Sequence, residues 1–445
     1  MEQDLTPRLA EFAAGPVTTT PDARRVTSLS ALDWLAVGRA GATEPVARIV
    51  RQMVLDEAGR GEATVFGDGA RVPARGAALV NGTVSHALDY DDTHFAHIGH
   101  PSVAVFPAAL AMAERLGRPV VDLLEASLVG MELSIRVGLW LGRSHYQAGF
   151  HQTATAGALG AAAAAGRILG FDAGRMAHAL GLAAARATGL KVQFGTMGKP
   201  YNAGLAASTG IEVALLIAAG FEANREALEA PLGFGATHHG AGDLAAAIEG
   251  LGSVWFFADV LHKFHACCHG LHAALEAAAE LDLSAPEIAT VEIRTHRRWM
   301  TVCNQPAPTT GLGAKFSYQT VIAMRALGLD TARLDVYSDR TCADPRLLAL
   351  RDRIQVVEDP SLSETEAVLT LLRRDGQRRE ARHDLLTPIP IATREERVRQ
   401  KTATLIGSGM TNRIWSLLQQ GGRASDLSAF LRVDGVDDKR AEHMM

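Results

Sequence analysis

The sequence predicts a mainly α protein, a large all-helical domain with a smaller inserted α+β lid domain. Three observations carry this expectation. Apolar helical stretches punctuated by glycine run from about Ala31 to Ala279. The texture turns to alternating apolar and polar residues near Asp282 and reads as helical again after Thr393. A chain of 445 residues also exceeds what one ordinary core accommodates, so two or three domains are expected. The expected boundaries are 1–265 for the first part of the helical domain, 266–392 for the lid and 393–445 for the helical return.

The helical hairpins are read from their punctuation. Leu116-Gly-Arg-Pro-Val-Val-Asp122 closes one helix on Gly117 and starts the next near Pro119. Leu169-Gly-Phe-Asp172 and Ala219-Gly-Phe-Glu-Ala-Asn224 repeat the pattern, with Asp172 and Asn224 as caps of the following helices. The run Ala156-Gly-Ala-Leu-Gly-Ala-Ala-Ala-Ala-Ala-Gly166 has so little side-chain bulk that another backbone must approach it, as in a central helix. Beyond Asp282, strands are expected at Ala289–His296 and Arg353–Glu358. A hairpin is expected at Glu366–His383 about the Asp375-Gly376 turn, with a helical piece near Thr320–Leu327. Thr393-Arg-Glu-Glu396 reads as a capping box.

Composition narrows the function classes. Hydrophobic residues at 47% and charged residues at 21% are ordinary for a soluble globular enzyme, and few aromatics with abundant Ala and Gly fit closely packed helices. The net charge of −5 is spread along the chain without a basic tail, so no nucleic-acid partner is expected. The start Met-Glu-Gln-Asp-Leu-Thr-Pro shows no secretory pattern, which points to a cytoplasmic protein. The greasy stretch Ala203–Gly220 carries Ser208, Thr209 and Glu212 and reads as a buried helix, not a membrane span. Cys267, Cys268, Cys303 and Cys342 lack iron–sulfur spacing and are expected to be reduced thiols.

The densest polar segment is Ser85-His86 through Asp89-Tyr-Asp91-Asp92-Thr93-His94-Phe-Ala-His97-Ile-Gly-His100-Pro-Ser102, set between apolar stretches. Acids and imidazoles in low-dielectric surroundings are what acid–base chemistry requires. Asp92 and Ser102 are also good capping residues. His94, His97 and His100, spaced by three beside Asp91 and Asp92, are zinc- or iron-type ligands, but Pro101 removes His100 from helix geometry and breaks their convergence. No metal is therefore expected. In Phe194-Gly-Thr196-Met-Gly-Lys199-Pro-Tyr-Asn-Ala-Gly204, Lys199 stands at a helix entrance, where its charge and free N–H groups favour an anion. His262-Lys263-Phe-His-Ala-Cys-Cys-His269-Gly-Leu-His272 offers Lys263 as a carboxylate holder or base, against the blander reading of a solvated surface lysine. His145-Tyr146 and Gly149-Phe-His151-Gln-Thr153 form a fourth polar group.

Together these segments resemble the MmgE/PrpD family, which includes 2-methylcitrate dehydratase, cis-aconitate decarboxylase and iminodisuccinate epimerase. The matching pieces are Asp89–Thr93 with Gly99–Ser102, Gly149–Thr153, Gly195–Pro200, Lys263 to His272, and Ala314-Lys-Phe-Ser317. The resemblance implies a homodimer that needs no metal or organic cofactor and acts on a small polycarboxylate. It implies site residues Asp89, Thr93, His100, His151, Lys199 and Lys263, with Tyr146 added by likeness to the epimerase. Thr196, His269 and Tyr318 complete the expected binding set. The chain departs from the pattern at Thr320, where many members have Tyr, and at Cys268, where the decarboxylase has a catalytic His. The expected reaction is proton abstraction beside a carboxylate, as in a 2-methylcitrate dehydratase-like hydro-lyase. The alternatives are an isomerase of an iminodisuccinate-like acid and a His/Cys metal-binding protein without this activity.

Overall fold

The computed structural model describes residues 4–57, 59–283 and 285–433. Residues 1–3, part of the N-terminal stretch read above, and 434–445, the end of the expected helical return, lie outside them. The fold is mainly helical with a small mixed four-stranded sheet in the C-terminal region. The chain divides into one unit of Met1–His262 with Val398–Met445 and a second of Lys263–Arg397.

Among the helices of the first unit, five frame its centre: Ala74–His86, Ser102–Leu116, Val120–Ala148, Gln152–Ile168 and Gly198–Ala218. Gln152–Ile168 is the central one, and nearly all of its residues are buried. A Cβ on Gly160 would come within 2.5 Å of the Gly130 carbonyl, so Val120–Ala148 lies backbone-close on one side. A Cβ on Gly210 would sit 2.5 Å from the Ala161 carbonyl carbon, which brings Gly198–Ala218 equally close on another. That last helix also crosses Ala74–His86, since a Cβ on Gly204 would lie 2.3 Å from the Leu79 carbonyl oxygen. The apolar stretch beginning at Ala203 is thus a packed helix, with 67% of its most apolar window buried in protein.

Two hairpins follow their punctuation. Gly117 and Gly170 end their helices with φ of 64° and 78°, and Asp172 caps Ala173–Arg186 by accepting from the Arg175 N–H. Pro119 stands one place before its helix, as the residue preceding Val120. The third hairpin does not form. Gly220 turns the chain, but Asn224 accepts from the Glu226 N–H in a local turn and no helix follows until the short Phe234–Thr237. Asn224 is instead pressed by its carbonyl against Gly181, where a Cβ would lie 1.8 Å away. The chain from 219 to 271 is therefore mostly turns and short helices, less helical than its sequence predicts.

The second unit holds strands Ile288–Thr295, Ile354–Glu358, Glu366–Arg373 and Arg378–Asp384. Ile288–Thr295 is central, parallel to Ile354–Glu358 and antiparallel to Glu366–Arg373, which carries the last strand as a hairpin neighbour. Gly376, at φ 87°, makes the expected turn. Ser317 caps Tyr318–Ala326 by accepting from the Thr320 N–H. The capping box at Thr393 is not formed, because the helix Ile391–Ile406 begins two residues earlier. At the start of Ala424–Ser428, the Asp426 carboxylate accepts from the Arg423 N–H at 2.9 Å.

Within the first unit, a buried polar layer joins the C-terminal return to the N-terminal helices. Lys401 pairs with Asp33 at 2.6 Å and donates to the Tyr90 carbonyl at 2.7 Å. Next to it, Asp92 accepts from the Ser102 hydroxyl at 2.6 Å and from the Ser102 N–H at 3.4 Å, tying down the start of Ser102–Leu116. Burial, with Asp33 and Asp91 nearby, pushes the Asp92 carboxyl up to about 7. The folded state therefore prefers the protonated acid. The stability this confers is complete below about pH 4 and is lost as pH rises through about 7. Asp92→Asn should flatten stability between those values, gaining on the wild type with rising pH by at most about 4 kcal/mol. Urea midpoints across pH 4–8 check the sign. Gly204→Ala should destabilise by about 2–3 kcal/mol because backbone must move to admit the methyl. Gly409→Ala, with open space at its Cβ, serves as the near-neutral control in the same denaturation series.

Candidate active site

Three helix ends meet in the first unit. Ala74–His86 brings its C-terminus, and Gln152–Ile168 and Gly198–Ala218 bring their N-termini. His86 is the last residue of its helix. Asp89 follows with its N–H on the His86 carbonyl and a left-handed φ of 51°, a conformation Asp tolerates better than most side chains. That turn sends Tyr90, Asp91 and Asp92 into the core. The chain then pairs Thr93 with Leu261 and His94 with Gly99, and returns as His100, whose N–H donates to the Thr153 hydroxyl at 3.0 Å. The same helix end presents His151, so His100 and His151 share one support.

Lys199 occupies the second position of Gly198–Ala218. The Thr196 hydroxyl accepts from the Gly198 N–H at 3.0 Å and donates to the Gln193 carbonyl at 2.8 Å, shaping the exposed entry loop. The Lys199 ammonium lies 2.7 Å from Asp89 Oδ1, and His100 Nε2 lies 3.5 Å from the same oxygen. His100 Nδ1 lies 2.8 Å from Asp91 Oδ2, and His86 Nδ1 lies 2.9 Å from Asp91 Oδ1. A continuous chain of charge and imidazole thus runs from Lys199 through Asp89 and His100 to Asp91 and His86. The His151 ring faces His86 at 6.1 Å between centroids, Phe194 meets it edge-on at 4.9 Å, and the Asn202 amide nitrogen stands 3.5 Å from its Nδ1.

Electrostatics sort these groups. Burial would raise the Asp91 carboxyl, but the His86 and His100 imidazoles outweigh it and hold it well below the usual carboxylate range. Burial first, then His86, Lys199 and His100, hold His151 well below the ordinary imidazole value, so it is neutral. The two helix N-termini and Lys199 together favour an anion at the mouth of this group.

The remaining sequence candidates fall elsewhere. His94 lends its Nε2 to the Phe256 carbonyl at 2.9 Å. His97 is wholly buried against Gly138, and burial drives it down to about 3. The ligand-type group the fold assembles is instead His86, Asp89, Asp91 and His100, whose donor atoms lie within 4.8 Å of one another. Both Asp91 oxygens already face imidazoles, and Asp89 faces an ammonium that repels a dication. Thr93 bridges to Leu261 through its backbone. Tyr146 lies under the Lys191 ammonium, 3.6 Å from its ring centre. Its neighbour His145 is buried between the His238 carbonyl and Thr155.

Lys263, His269 and Tyr318 belong to the second unit. Lys263 is only 1% exposed, which removes the surface-lysine reading. His269 opens a short 3-10 turn beside His272. Tyr318 is fully buried, its hydroxyl donating to the Gly270 carbonyl at 2.6 Å and meeting Thr295 Oγ1 at 2.9 Å. That hydroxyl is spent on packing and does not offer itself to a ligand. Burial and Cys268 push the Cys267 thiol up to about 12, which disfavours a thiolate ligand there. Sequence reading weighed Asp91 only beside the histidines of the rejected metal set and gave no role to His86 or Asn202. His86 stands five residues before Asp91, a spacing that signals nothing until the turn at Asp89 folds one back on the other.

The chain is 36% identical over 211 residues to human cis-aconitate decarboxylase, covering 46% of this chain and 44% of that protein. It is 31% identical over 271 residues to the cis-aconitate decarboxylase of Aspergillus terreus, covering 58% and 55%. It is 37% identical over 94 residues to 2-methylcitrate dehydratase of Cupriavidus necator, covering 21% and 19%. The chain thus spans about half the length, or less, of the curated relatives it matches. Residues 7–247 match the MmgE/PrpD N-terminal domain and residues 265–411 the MmgE/PrpD C-terminal domain. The chain therefore belongs to the MmgE/PrpD family.

Proposed function

We propose that this protein is a cofactor-independent lyase that removes a proton beside a carboxylate of a small di- or tricarboxylic acid. The favoured reaction is dehydration of a 2-methylcitrate-like hydroxy acid, with Asp89, His100, His151 and Lys199 as the working groups. One observation carries this reading: the ammonium of Lys199 and the imidazole of His100 converge on a single carboxylate oxygen, that of Asp89. A substrate carboxylate arriving there meets a cation, two helix N-termini and an imidazole nitrogen together.

The steps follow from that arrangement. Lys199 binds the substrate carboxylate and stabilises the aci-carboxylate-like carbanion that forms as the C–H bond breaks. His100 takes the proton at Nε2, with Asp89 beside it to share the charge. The Asn202 amide facing His151 Nδ1 leaves the ring proton on Nε2. There the neutral imidazole hydrogen-bonds the departing hydroxyl, which takes the proton held by His100 and leaves as water while the carbon–carbon double bond closes. A second reading, decarboxylation, draws on the names of the relatives from human and Aspergillus terreus. In that case the same groups would protonate the carbanion left after carbon dioxide departs. An epimerase would return the proton to the opposite face of an iminodisuccinate-like acid. The homodimer implied by the resemblance forms part of the proposal, and light scattering on the purified protein tests it.

Incubation in deuterium oxide with 2-methylcitrate, cis-aconitate and iminodisuccinate, followed by NMR, separates these reactions. Alkene formation from the hydroxy acid is expected. Deuterium entering the α-carbon without alkene or carbon dioxide would replace dehydration by epimerisation. Silence with every acid would refute the whole proposal. Lys199→Ala should lower turnover by about 1,000-fold or more. It should barely move the thermal midpoint, since a partly exposed ion pair at the mouth of the site contributes about 0–1 kcal/mol. Retained activity in that variant would overturn the role given to Lys199.

A further inference from the structure

We infer that Asp91 is the positioning residue of this site: its one carboxylate grips the Nδ1 edges of both His86 and His100 and so dictates which ring nitrogen of His100 handles protons. The inference rests on the acid–base reading above and extends it to groups that need not touch substrate.

The geometry is specific. Asp91 is wholly buried, as is the His86 side chain; one Asp91 oxygen is hydrogen-bonded to His86 Nδ1 at 2.9 Å, and the other stands in ion-pair contact with His100 Nδ1 at 2.8 Å. An ionised carboxylate only accepts hydrogen bonds. An unprotonated ring nitrogen would set its lone pair against that of the carboxylate oxygen at these separations, so both rings carry their protons on Nδ1. That leaves Nε2 of His100 as its exchangeable position, and Nε2 is the atom that faces Asp89 and, beyond it, Lys199. His86 supplies the second donor that stops the carboxylate from rotating. Its own Nε2 is buried with no hydrogen-bond partner among the described residues, so Asp91 is its anchor. The His86 and His100 rings also meet edge-to-face at 4.5 Å, which holds the two imidazoles at a set angle about the shared acid. A purely structural pair of histidines would not need a desolvated anion between them; a neutral amide could bond both.

Asp91→Asn separates these roles because it keeps the shape. The amide can accept from one ring but must donate to the other, so one imidazole loses its Nδ1 proton. For the positioning role, kcat should fall by about 100-fold or more with KM within about threefold, the range seen when the partner of a working imidazole is lost. Proton NMR of protein with 15N-labelled histidine should show a downfield Nδ1–H signal of His100, identified by its absence in His100→Gln and altered in Asp91→Asn. In a His100→Gln background, Asp91→Asn should cost less than about threefold more, since the two act as one unit. If Asp91→Asn fails to fold, His86→Gln gives the milder test, with kcat down by about tenfold and the His100 Nδ1–H signal broadened but present. Unchanged kcat and an unchanged Nδ1–H signal in Asp91→Asn would overturn the inference and leave the proposed reaction standing. If the wild type exchanges no proton with any polycarboxylate, the proposed reaction falls and the NMR signal alone decides the tautomer.

Discussion

The site depends on a contact that contains no functional group: the crossing of Ala74–His86 with Gly198–Ala218. Gly82 and Gly204 meet so closely that a Cβ on Gly82 would lie 2.8 Å from the Gly204 Cα. The helices run antiparallel, since Arg75 near the start of one pairs with Glu212 near the end of the other. His86 lies four residues beyond Gly82, and Lys199 lies five residues before Gly204. At about 1.5 Å rise per residue, both sit little more than one turn from the crossing point. Any side chain at that point would spread the helices and draw Lys199 away from the turn that holds Asp89. The abundance of small residues is therefore a statement about precision at the helix ends as well as about packing.

The central helix adds the third member by running parallel to Gly198–Ala218. Gly157 faces Ala206 and Ala161 faces Gly210, so both N-termini open on the same side. Each carries roughly half a positive charge in unsatisfied N–H groups. An antiparallel pair would have set one positive end against one negative end. The parallel arrangement instead doubles the attraction for an anion, and Lys199 adds a full charge. Against this, Asp89 and Asp91 return negative charge within the protein. Asp89 faces Lys199 at the mouth of the group, while Asp91 is locked below it between two rings.

How much of this could be read in advance depends on range. The helices about Gly117 and Gly170, the Asp375-Gly376 hairpin and the small-residue central helix follow from local rules, because a left-handed glycine or a capping Asp acts within a few residues. Asp89, His100, His151 and Lys199 were nameable because each sits in a short segment whose polarity conflicts with its apolar flanks. His86 and Asn202 were not. His86 reads as the polar end of an apolar helix, and Asn202 as an ordinary residue near a helix start. Only tertiary packing places the first against Asp91 and the second against His151. The missing hairpin after Gly220 failed for the same reason. Asn224 has the chemistry of a cap, but Gly181 takes its backbone into a helix groove, and that contact overrides the local preference. Tyr318 shows the reverse error, where a residue that looks available by type is consumed by a core.

The turn at Asp89 joins these threads. A residue after the end of a helix in left-handed conformation is usually glycine, because only glycine enters that region without steric cost. Asp at this position accepts some strain, and such strain persists only where the surroundings over-determine it. Here they do. The Asp89 N–H is held by the His86 carbonyl, the following Tyr90 carbonyl by buried Lys401, and the Asp89 carboxylate by Lys199. Glycine would relieve the backbone and delete the charge that Lys199 and His100 share. The conformation of the turn and the chemistry of the site therefore make opposite demands on one residue. Aspartate satisfies both because it tolerates the left-handed region and carries the carboxylate.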